Sequence, residues 1–231
     1  MARISKSALT KLEIVKESSR QFLEKGYTAT SVLGISKALD MSPGNLTFYY
    51  PTKEHLLAEL VEMLCKFQWK MMQVEAEDGV SSVMALCLEL TSMASAAEDD
   101  PIIKDFFISA YTSPMGMDII RRNDTERAKK IFAEYCKDWT DEQFAEAELL
   151  CSGIEFATLM TAGEPVPAKI RISGALNHIL SIYGIPESMR QEKLRKVFAM
   201  DYKALGQRVM REFKEYVEQA NEQAFYDLLK R

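Results

Sequence analysis

Residues 42–53 read Ser-Pro-Gly-Asn-Leu-Thr-Phe-Tyr-Tyr-Pro-Thr-Lys and carry the start and stop signals of one very short helix. The hydroxyl of Ser42 can cap such a helix, and Pro43 suits its first position, where no N–H is needed. Pro51 disfavours helix at the residue before it and ends the element after about two turns. Gly44 leaves the first turn without side-chain bulk, so another backbone can approach closely. The stretch therefore predicts a helix that presents its N-terminal end to a partner.

Further helices are predicted on both sides of this stretch. Apolar residues recur at helical spacing across residues 9–23. Thr30 or Ser31 caps a second short helix, and Asp40 favours a tight turn because it tolerates the left-handed conformation. A fourth helix begins at Thr52. Two short helices that are joined by a turn and braced by a longer first helix form a helix-turn-helix.

From about residue 8 to 66, this arrangement resembles the DNA-binding domain of the tetracycline-repressor (TetR) family. One Gly-Tyr or Ser-x-Gly match is weak, whereas the joint spacing of all the matches is specific. The matching residues are Phe22, Gly26, Tyr27, Thr30, Ser31, Val32, Ile35, Ser42, Gly44, Leu46, Pro51, Lys53, Glu54, Leu56 and Leu57. The chain departs from the family pattern at Asp40, where Gly is usual, and at Thr47, Tyr49 and Tyr50, where Tyr, His and Phe are usual.

The resemblance implies an all-α fold with two domains. An N-terminal three-helix helix-turn-helix domain is expected at residues 1–66, with its reading unit at about 31–50. A larger helical domain for ligand binding and dimerisation is expected at 67–231. In this second part the pattern predicts a separate charged helix at about 125–137, and the run 187–229 forms one helix or two.

The DNA contacts that the resemblance implies lie on the second and third helices and at the start of the fourth. They are Thr30, Ser31, Ser42, Pro43, Gly44, Asn45, Thr47, Phe48, Tyr49 and Lys53. Among them, the amide of Asn45 can donate to and accept from a base edge. Lys53 can hold a phosphate at a helix N-terminus. Leu46 and Tyr50 are expected to face the core.

Charge is unevenly distributed along the chain, which carries a formal net charge of −5. Residues 1–70 hold 10 Lys and Arg against 7 Asp and Glu, a net of +3, and the remainder holds 19 against 27, a net of −8. This division favours a basic DNA-binding headpiece on an acidic body. No stretch of 18 or more apolar residues and no signal sequence is present, so a soluble cytoplasmic protein without a membrane partner is expected.

Catalytic and metal chemistry are not expected. The chain has two histidines, and neither stands at a nucleophilic or metal-ligand spacing from a Cys, Ser or paired carboxylate. The four cysteines form no C-x-x-C pair, which favours buried free thiols. We therefore expect a protein that is not an enzyme and has no catalytic residues, cofactor or metal site.

Two groups of residues in the second half have candidate regulatory functions. Methionines and aromatic residues favour an adaptable apolar pocket for an unknown small-molecule effector, although such residues are also common in a plain core. The pocket candidates are Met71, Met72, Met93, Phe106, Phe107, Tyr111 and Met160. In TetR-like proteins the helices at about 141–163 and 168–183 usually form the dimer, and the alternative is an intramolecular pair. The dimer candidates are Ile154, Ala157, Ile172, Leu176, Ile179, Leu180 and Tyr183.

The sequence as a whole favours a DNA-binding transcriptional regulator. The expected mechanism is that of a repressor, released by a ligand, which binds double-stranded DNA at a palindromic operator as a homodimer. One alternative is a transcriptional activator on the same fold. The other is a helical adaptor whose helix-turn-helix has lost DNA binding, since Asp40 and Thr47 are unusual.

Overall fold

A computed structural model describes residues 6–77 and 79–229, and within these ranges the chain forms eleven α-helices and no strand. The helices are α1 (Lys6–Lys25), α2 (Val32–Ala38), α3 (Pro43–Tyr49), α4 (Lys53–Glu77), α5 (Ser82–Asp99), α6 (Pro101–Thr112), α7 (Pro114–Ile131), α8 (Asp141–Met160), α9 (Ala168–Ile182), α10 (Glu187–Ala199) and α11 (Tyr202–Leu229). The all-α class is confirmed. In this described part, no helix combines the length and the hydropathy needed to cross a bilayer.

The local signals around α2 and α3 act as the sequence predicts. Ser31 caps α2, because its hydroxyl accepts the N–H of Gly34 at 3.0 Å. Ser42 caps α3 in the same way. Asp40 has φ of 50°, a left-handed conformation that turns the chain from α2 into α3. Gly26 has φ of 92° just after α1, where a side chain would be strained.

The structure corrects one predicted helix in the body and decides an alternative that the sequence left open. The separate charged helix predicted at 125–137 is wrong, because α7 runs without a break from Pro114 to Ile131 and turns follow it. The run 187–229 is two helices. They separate at Met200, which has extended backbone, and the carboxylate of Asp201 accepts the N–H of Ala204 at the start of α11.

The helices pack around two apolar clusters. The first extends from Ile14 to Val217 and joins the N-terminal helices to α6 and α11, while the second lies among α5 and α7–α10. Helix α11 packs against α5 and also against α1, so the last described helix contacts the first. The crossing of α11 over α5 is close at Gly206, where a Cβ would lie 2.9 Å from the carbonyl oxygen of Ser92.

All four cysteines are buried and free, as the sequence predicts. Burial raises the pKa of the Cys87 thiol to about 12, and it raises the pKa values of Cys65, Cys136 and Cys151 as well. The thiols are therefore protonated at neutral pH and are poor nucleophiles.

Candidate nucleic-acid interface

The short helix α3 is anchored on one side and open on the other. Leu46 is fully buried and Tyr50, just after the helix, is nearly so. At the N-terminal end, the hydroxyl of Ser42 accepts the N–H of Asn45 at 3.1 Å. These contacts hold α3 against the other N-terminal helices with its first turn exposed.

The open side of α3 carries the side chains expected there. Pro43, Gly44, Asn45 and Phe48 are exposed, and Phe48 is 79% exposed although its side chain is large and apolar. Its ring lies 5.3 Å from that of Tyr49, edge to face. A Cβ added at Gly44 would meet no atom within 4 Å, so the glycine leaves open space rather than serving internal packing. A surface of this kind is free to contact a partner.

Thr47 and Ser31 border this open side. Thr47 is partly exposed, and its hydroxyl donates to the carbonyl of Gly44 at 3.2 Å. Ser31 is exposed at the N-terminus of α2.

Thr30 does not belong to this surface, contrary to expectation. It is 2% exposed, and its hydroxyl donates to the carbonyl of Gly26 at 2.8 Å. The predicted DNA contact of the Thr30 side chain is therefore wrong. Of two adjacent hydroxyl residues, one caps the helix and the other closes the preceding turn.

Lys53 stands at the start of α4, as predicted, but its ammonium is directed inwards. Its Nζ donates to the carbonyls of Tyr27 and Thr30, each at 2.9 Å, and lies 4.0 Å from the centre of the Tyr27 ring. Burial lowers the Lys53 pKa, and the carboxylate of Asp105 acts in the opposite direction. This geometry supports a structural role for Lys53, which ties the α1–α2 loop to α4, and not the phosphate contact that the sequence suggested.

A contact between the headpiece and the body was not predicted. Asp105 of α6 accepts the backbone N–H of Thr28 at 2.8 Å and the Thr28 hydroxyl at 2.5 Å. A Cβ at Gly26 would lie 2.8 Å from the same carboxylate. The partners are 77 residues apart, and no local pattern in the sequence could have paired them.

An apolar cavity lies beside α4, between α5, α6 and α11. Its volume is about 40 Å³, so only narrow gaps, sufficient for one or a few water molecules, remain between the side chains. Four of the predicted pocket residues line it, namely Met71, Met72, Met93 and Phe107. One edge is polar, because Gln68 donates to Glu89 at 2.8 Å.

The other three predicted pocket residues lie elsewhere. Phe106 is fully buried in the first apolar cluster. Tyr111 is also buried, and its hydroxyl donates to Glu155 at 2.8 Å. Met160 is half exposed at the end of α8. These three residues do not line this cavity, because an apolar side chain at helical spacing can face a core, a cavity or a partner alike.

Most of the predicted dimer residues are buried within the single chain. They are Ile172, Leu176, Ile179, Leu180 and Tyr183, and each is at most 3% exposed. The ring of Tyr183 stacks on that of Phe132 with 3.9 Å between centres. These five residues therefore cannot form an interface, and that prediction is wrong for them. Ile154 is partly buried, whereas Ala157 is exposed.

A different side of α8 and α9 is open and carries apolar and small residues. We call it the α8–α9 face, and it consists of Leu149, Leu150, Gly153, Ala157 and Met160 on α8 with Ile170 and Gly174 on α9. Ile170 is 61% exposed and both leucines are about half exposed. A Cβ at Gly153 or Gly174 would meet no atom within 4 Å. An exposed apolar stripe on neighbouring helices is typical of an interaction surface.

Comparison with known proteins identifies the N-terminal helices. Residues 14–60 match the family model of the bacterial regulatory proteins of the tetR family. No curated protein matches the chain.

Three solved structures are similar in part. Salmonella enterica GusR is 18% identical, with a TM-score of 0.47 over 78% of this chain and 98% of that one. A putative tetR family transcription regulator from Shewanella sp. PV-4 is 18% identical, with a TM-score of 0.46 over 75% and 95% of the two chains. The TetR family protein CprB from S. coelicolor A3(2) is 20% identical, with a TM-score of 0.42 over 88% and 99%. Since the family match covers the helices that carry the open side of α3, the N-terminal domain of this chain is a domain of the tetR family of bacterial regulatory proteins.

Proposed function

We propose that this regulator is a homodimeric repressor that binds a palindromic operator and releases it when a small ligand enters the body. The observation that supports this most is the open side of α3, whose first turn is exposed while Leu46 and Tyr50 hold the helix in place. A helix of seven residues contacts few base pairs. Two such helices, held about 34–36 Å apart in a dimer, would together read a palindrome.

The DNA contacts in this proposal come from the exposed residues of α2 and α3. Asn45 reads a base edge, and Phe48 packs on an apolar group such as a thymine methyl. Ser31, Thr47 and Tyr49 contact the phosphate backbone through their hydroxyls, and Ser42, Pro43 and Gly44 let the first turn of α3 approach the groove. The headpiece is residues 1–66 and the body 67–231, with α4 spanning the boundary.

The dimer in this proposal forms through the α8–α9 face. Gly153, Ala157 and Gly174 have little or no side chain and let two helices from another copy approach closely. Leu149 and Ile170 supply exposed apolar area at its edges. A twofold interface buries the same patch on both copies, so one face of this kind is sufficient.

The ligand in this proposal enters the cavity beside α4. Because the gaps there are narrow, an effector must displace the flexible side chains of Met71, Met72 or Met93, and methionine adapts readily to such changes. Helix α4 runs unbroken from Lys53 in the headpiece to Glu77 in the body, so a ligand wedged against it can tilt the headpiece. A coupling of about 1–3 kcal/mol between ligand and DNA would be typical.

The decisive experiment is selection of bound sequences from a random DNA pool with the full chain. A palindromic sequence bound by a dimer is the expected result. Retention on DNA without any enriched sequence would contradict operator recognition, and absence of binding to random DNA at low salt would favour the adaptor alternative. A reporter gene placed behind the selected site separates repression from activation. Titration of the DNA complex with apolar and amphipathic metabolites then tests release by a ligand.

A further inference from the structure

Three carboxyl groups meet inside the body between α7 and α8. They belong to Asp124 on α7 and to Glu148 and Glu155 on α8, and one oxygen of each lies within 4.8 Å of the others. The two glutamates are seven residues apart, which places them on one face of α8 two turns from each other. All three side chains line a small cavity with a volume of about 30 Å³.

The charges around this cavity do not cancel. Arg127 is 3% exposed and forms two contacts with the carboxylate of Glu89, one of them 3.0 Å from Nη1 to Oε1. This pair accounts for the positive charge of Arg127, although its Nη1 also lies 3.2 Å from Asp124. Among the described residues, no other Lys or Arg lies within ion-pair distance of the three carboxyl groups, although the charge of Arg121 is near enough to act on the Glu148 pKa in the lowering direction.

The other contacts of the three carboxyl groups in the described part of the chain are few. Asp124 accepts from the amide of Asn123 at 2.9 Å, and Glu155 accepts from the Tyr111 hydroxyl at 2.8 Å. Both donors are neutral groups. Each carboxylate therefore keeps lone pairs that a cation could use.

Glu148 is the clearest sign of an incomplete site. It is 4% exposed, and its Oε1 is buried without a hydrogen-bond donor anywhere among the described residues. Burial disfavours the charged forms of all three carboxyl groups and raises their pKa values. A buried polar atom of this kind calls for a missing partner.

We propose that Asp124, Glu148 and Glu155 bind one divalent cation between α7 and α8. Carboxylate oxygens are hard ligands, which suit Ca²⁺, Mn²⁺ and Mg²⁺ rather than copper or zinc. Oxygens that bind one calcium ion lie at most about 4.6–5.2 Å apart, twice the usual Ca–O distance, so three oxygens within 4.8 Å of one another can share one ion. A doubly charged ion supplies the partner that Glu148 lacks, and its binding displaces the protons that burial favours on these carboxyl groups.

This site escaped the sequence analysis for a geometric reason. Metal-ligand motifs are recognised by Cys and His at short spacings, whereas here Asp124 and Glu148 come from different helices. The ion would join α7 to α8. Next to Asp124, Asn123 accepts the indole N–H of Trp69 on α4 at 2.7 Å, so the site adjoins the helix that leads to the headpiece.

The test uses the full chain, stripped of metal with a chelator, and Mn²⁺ as the probe. Electron paramagnetic resonance counts the Mn²⁺ ions bound at neutral pH, and Ca²⁺ and Mg²⁺ are added as competitors. One Mn²⁺ per chain, displaced by Ca²⁺, is expected. Glu148→Gln keeps the shape of the side chain but removes a charged ligand. We expect the Mn²⁺ affinity to fall by about tenfold or more, because even the loss of a residue that only hydrogen-bonds to a metal ligand typically lowers metal affinity by about 10- to 100-fold.

Glu146→Gln is the matched control, because Glu146 is an exposed carboxylate on the same helix. Glu146→Gln is expected to bind Mn²⁺ as tightly as the unaltered chain does. Mn²⁺ is expected to raise the unfolding temperatures of the unaltered chain and of Glu146→Gln, but not that of Glu148→Gln. If Glu148→Gln fails to fold, Glu155→Gln takes its place. The proposal is overturned if the unaltered chain binds no Mn²⁺. It is also overturned if the ligand variant, Glu148→Gln or its replacement Glu155→Gln, binds Mn²⁺ as tightly as the control Glu146→Gln. Neither result depends on DNA binding.

Discussion

Asn45 lies exposed in the first turn of α3, where an amide can form two hydrogen bonds to a base edge. We expect Asn45→Ala to weaken binding to the preferred DNA site by about 1–3 kcal/mol and to relax the preference at that position. Fluorescence anisotropy with the selected site and its single-base variants measures both effects. Gln73→Ala, which removes an exposed amide from the body, serves as the control. Equal weakening on all sequences would exclude base reading by Asn45.

Lys53 leads to a different prediction, because its ammonium holds the carbonyls of Tyr27 and Thr30. We expect Lys53→Met to destabilise the fold by about 1.5–3 kcal/mol, the usual contribution of hydrogen bonds to a charged group. The salt dependence of DNA binding is expected to stay the same. Thermal unfolding and a salt titration check the two parts, with the exposed Lys37→Met as the control for loss of a charge. If Lys53→Met instead lowers the slope of log K against log salt concentration by about one unit per half-site, Lys53 does contact a phosphate.

At the scale of single residues, the sequence predicts a side chain's chemistry better than its direction. The caps at Ser31 and Ser42 and the turn at Asp40 depend on local backbone geometry, and all three are confirmed. The polar groups of Thr30 and Lys53 suit phosphate, and the sequence therefore predicts DNA contacts for both. Their actual partners are carbonyls of the α1–α2 loop, and the folding of that loop is not a local property.

At the scale of helices, α9 has two faces with apolar residues, and either could be taken from the sequence as the dimer interface. The spacing of Ile172, Leu176 and Ile179 correctly indicates an apolar stripe, yet the stripe packs within the chain. The exposed face, with Gly174 and Ile170, has fewer apolar residues and a weaker pattern. Periodicity shows which positions lie together on a helix, but it does not show which face a partner covers.

The α8–α9 face gives a prediction about assembly. We expect Ala157→Arg to convert the proposed dimer to monomer, because a charge would be buried without a partner in the interface. Analytical ultracentrifugation measures the change, and Glu142→Arg, at the exposed start of α8, is the control. A dimer that persists in Ala157→Arg would exclude this face.

Leu176→Ala is expected to act on the fold instead, with a loss of about 2–5 kcal/mol in the free energy of unfolding.

The crossing of α5 and α11 gives a second prediction at this scale. A Cβ at Gly206 would lie 2.9 Å from the Ser92 carbonyl and 3.1 Å from the amide nitrogen of Ala96. Because both neighbours are backbone atoms, the helices must move apart, and we expect Gly206→Ala to cost about 1–3 kcal/mol. Urea unfolding measures it. Lys203→Ala, exposed on the same helix, is expected to change little, and equal stability of the two variants would contradict the close crossing.

For the whole molecule, the sequence predicts the class and the order of the helices but not the contacts between distant ones. The basic headpiece and the acidic body are visible in the charge distribution. The core that joins Ile14 to Val217 and the contact of Thr28 with Asp105 depend on how the helices assemble. A domain boundary at residue 66 therefore remains a prediction, and α4 crosses it as one helix.

The contact between Thr28 and Asp105 gives a prediction for the whole molecule. Asp105→Asn leaves one acceptor oxygen where the carboxylate accepts two hydrogen bonds. We expect the headpiece to open more often, so that amide hydrogen exchange becomes faster in α2 and α3 but not in α8. Mass spectrometry of peptides from each helix measures it. Asp118→Asn, on an exposed carboxylate of α7, is the control, and unchanged exchange in α2 and α3 would mean that the contact does not hold the headpiece.

The packing of α1 against α11 also has a consequence for biosynthesis. The ribosome makes α1 well before α11, and the apolar side of α1 is not fully covered until the 28 residues of α11 have left the exit tunnel. Contacts between such distant segments form late in folding. A nascent chain therefore carries its helix-turn-helix for most of its synthesis without the support of the last helix. A message that stops before residue 202 would yield a partly folded chain, which is a substrate for proteases, and not an intact N-terminal domain without its regulatory body.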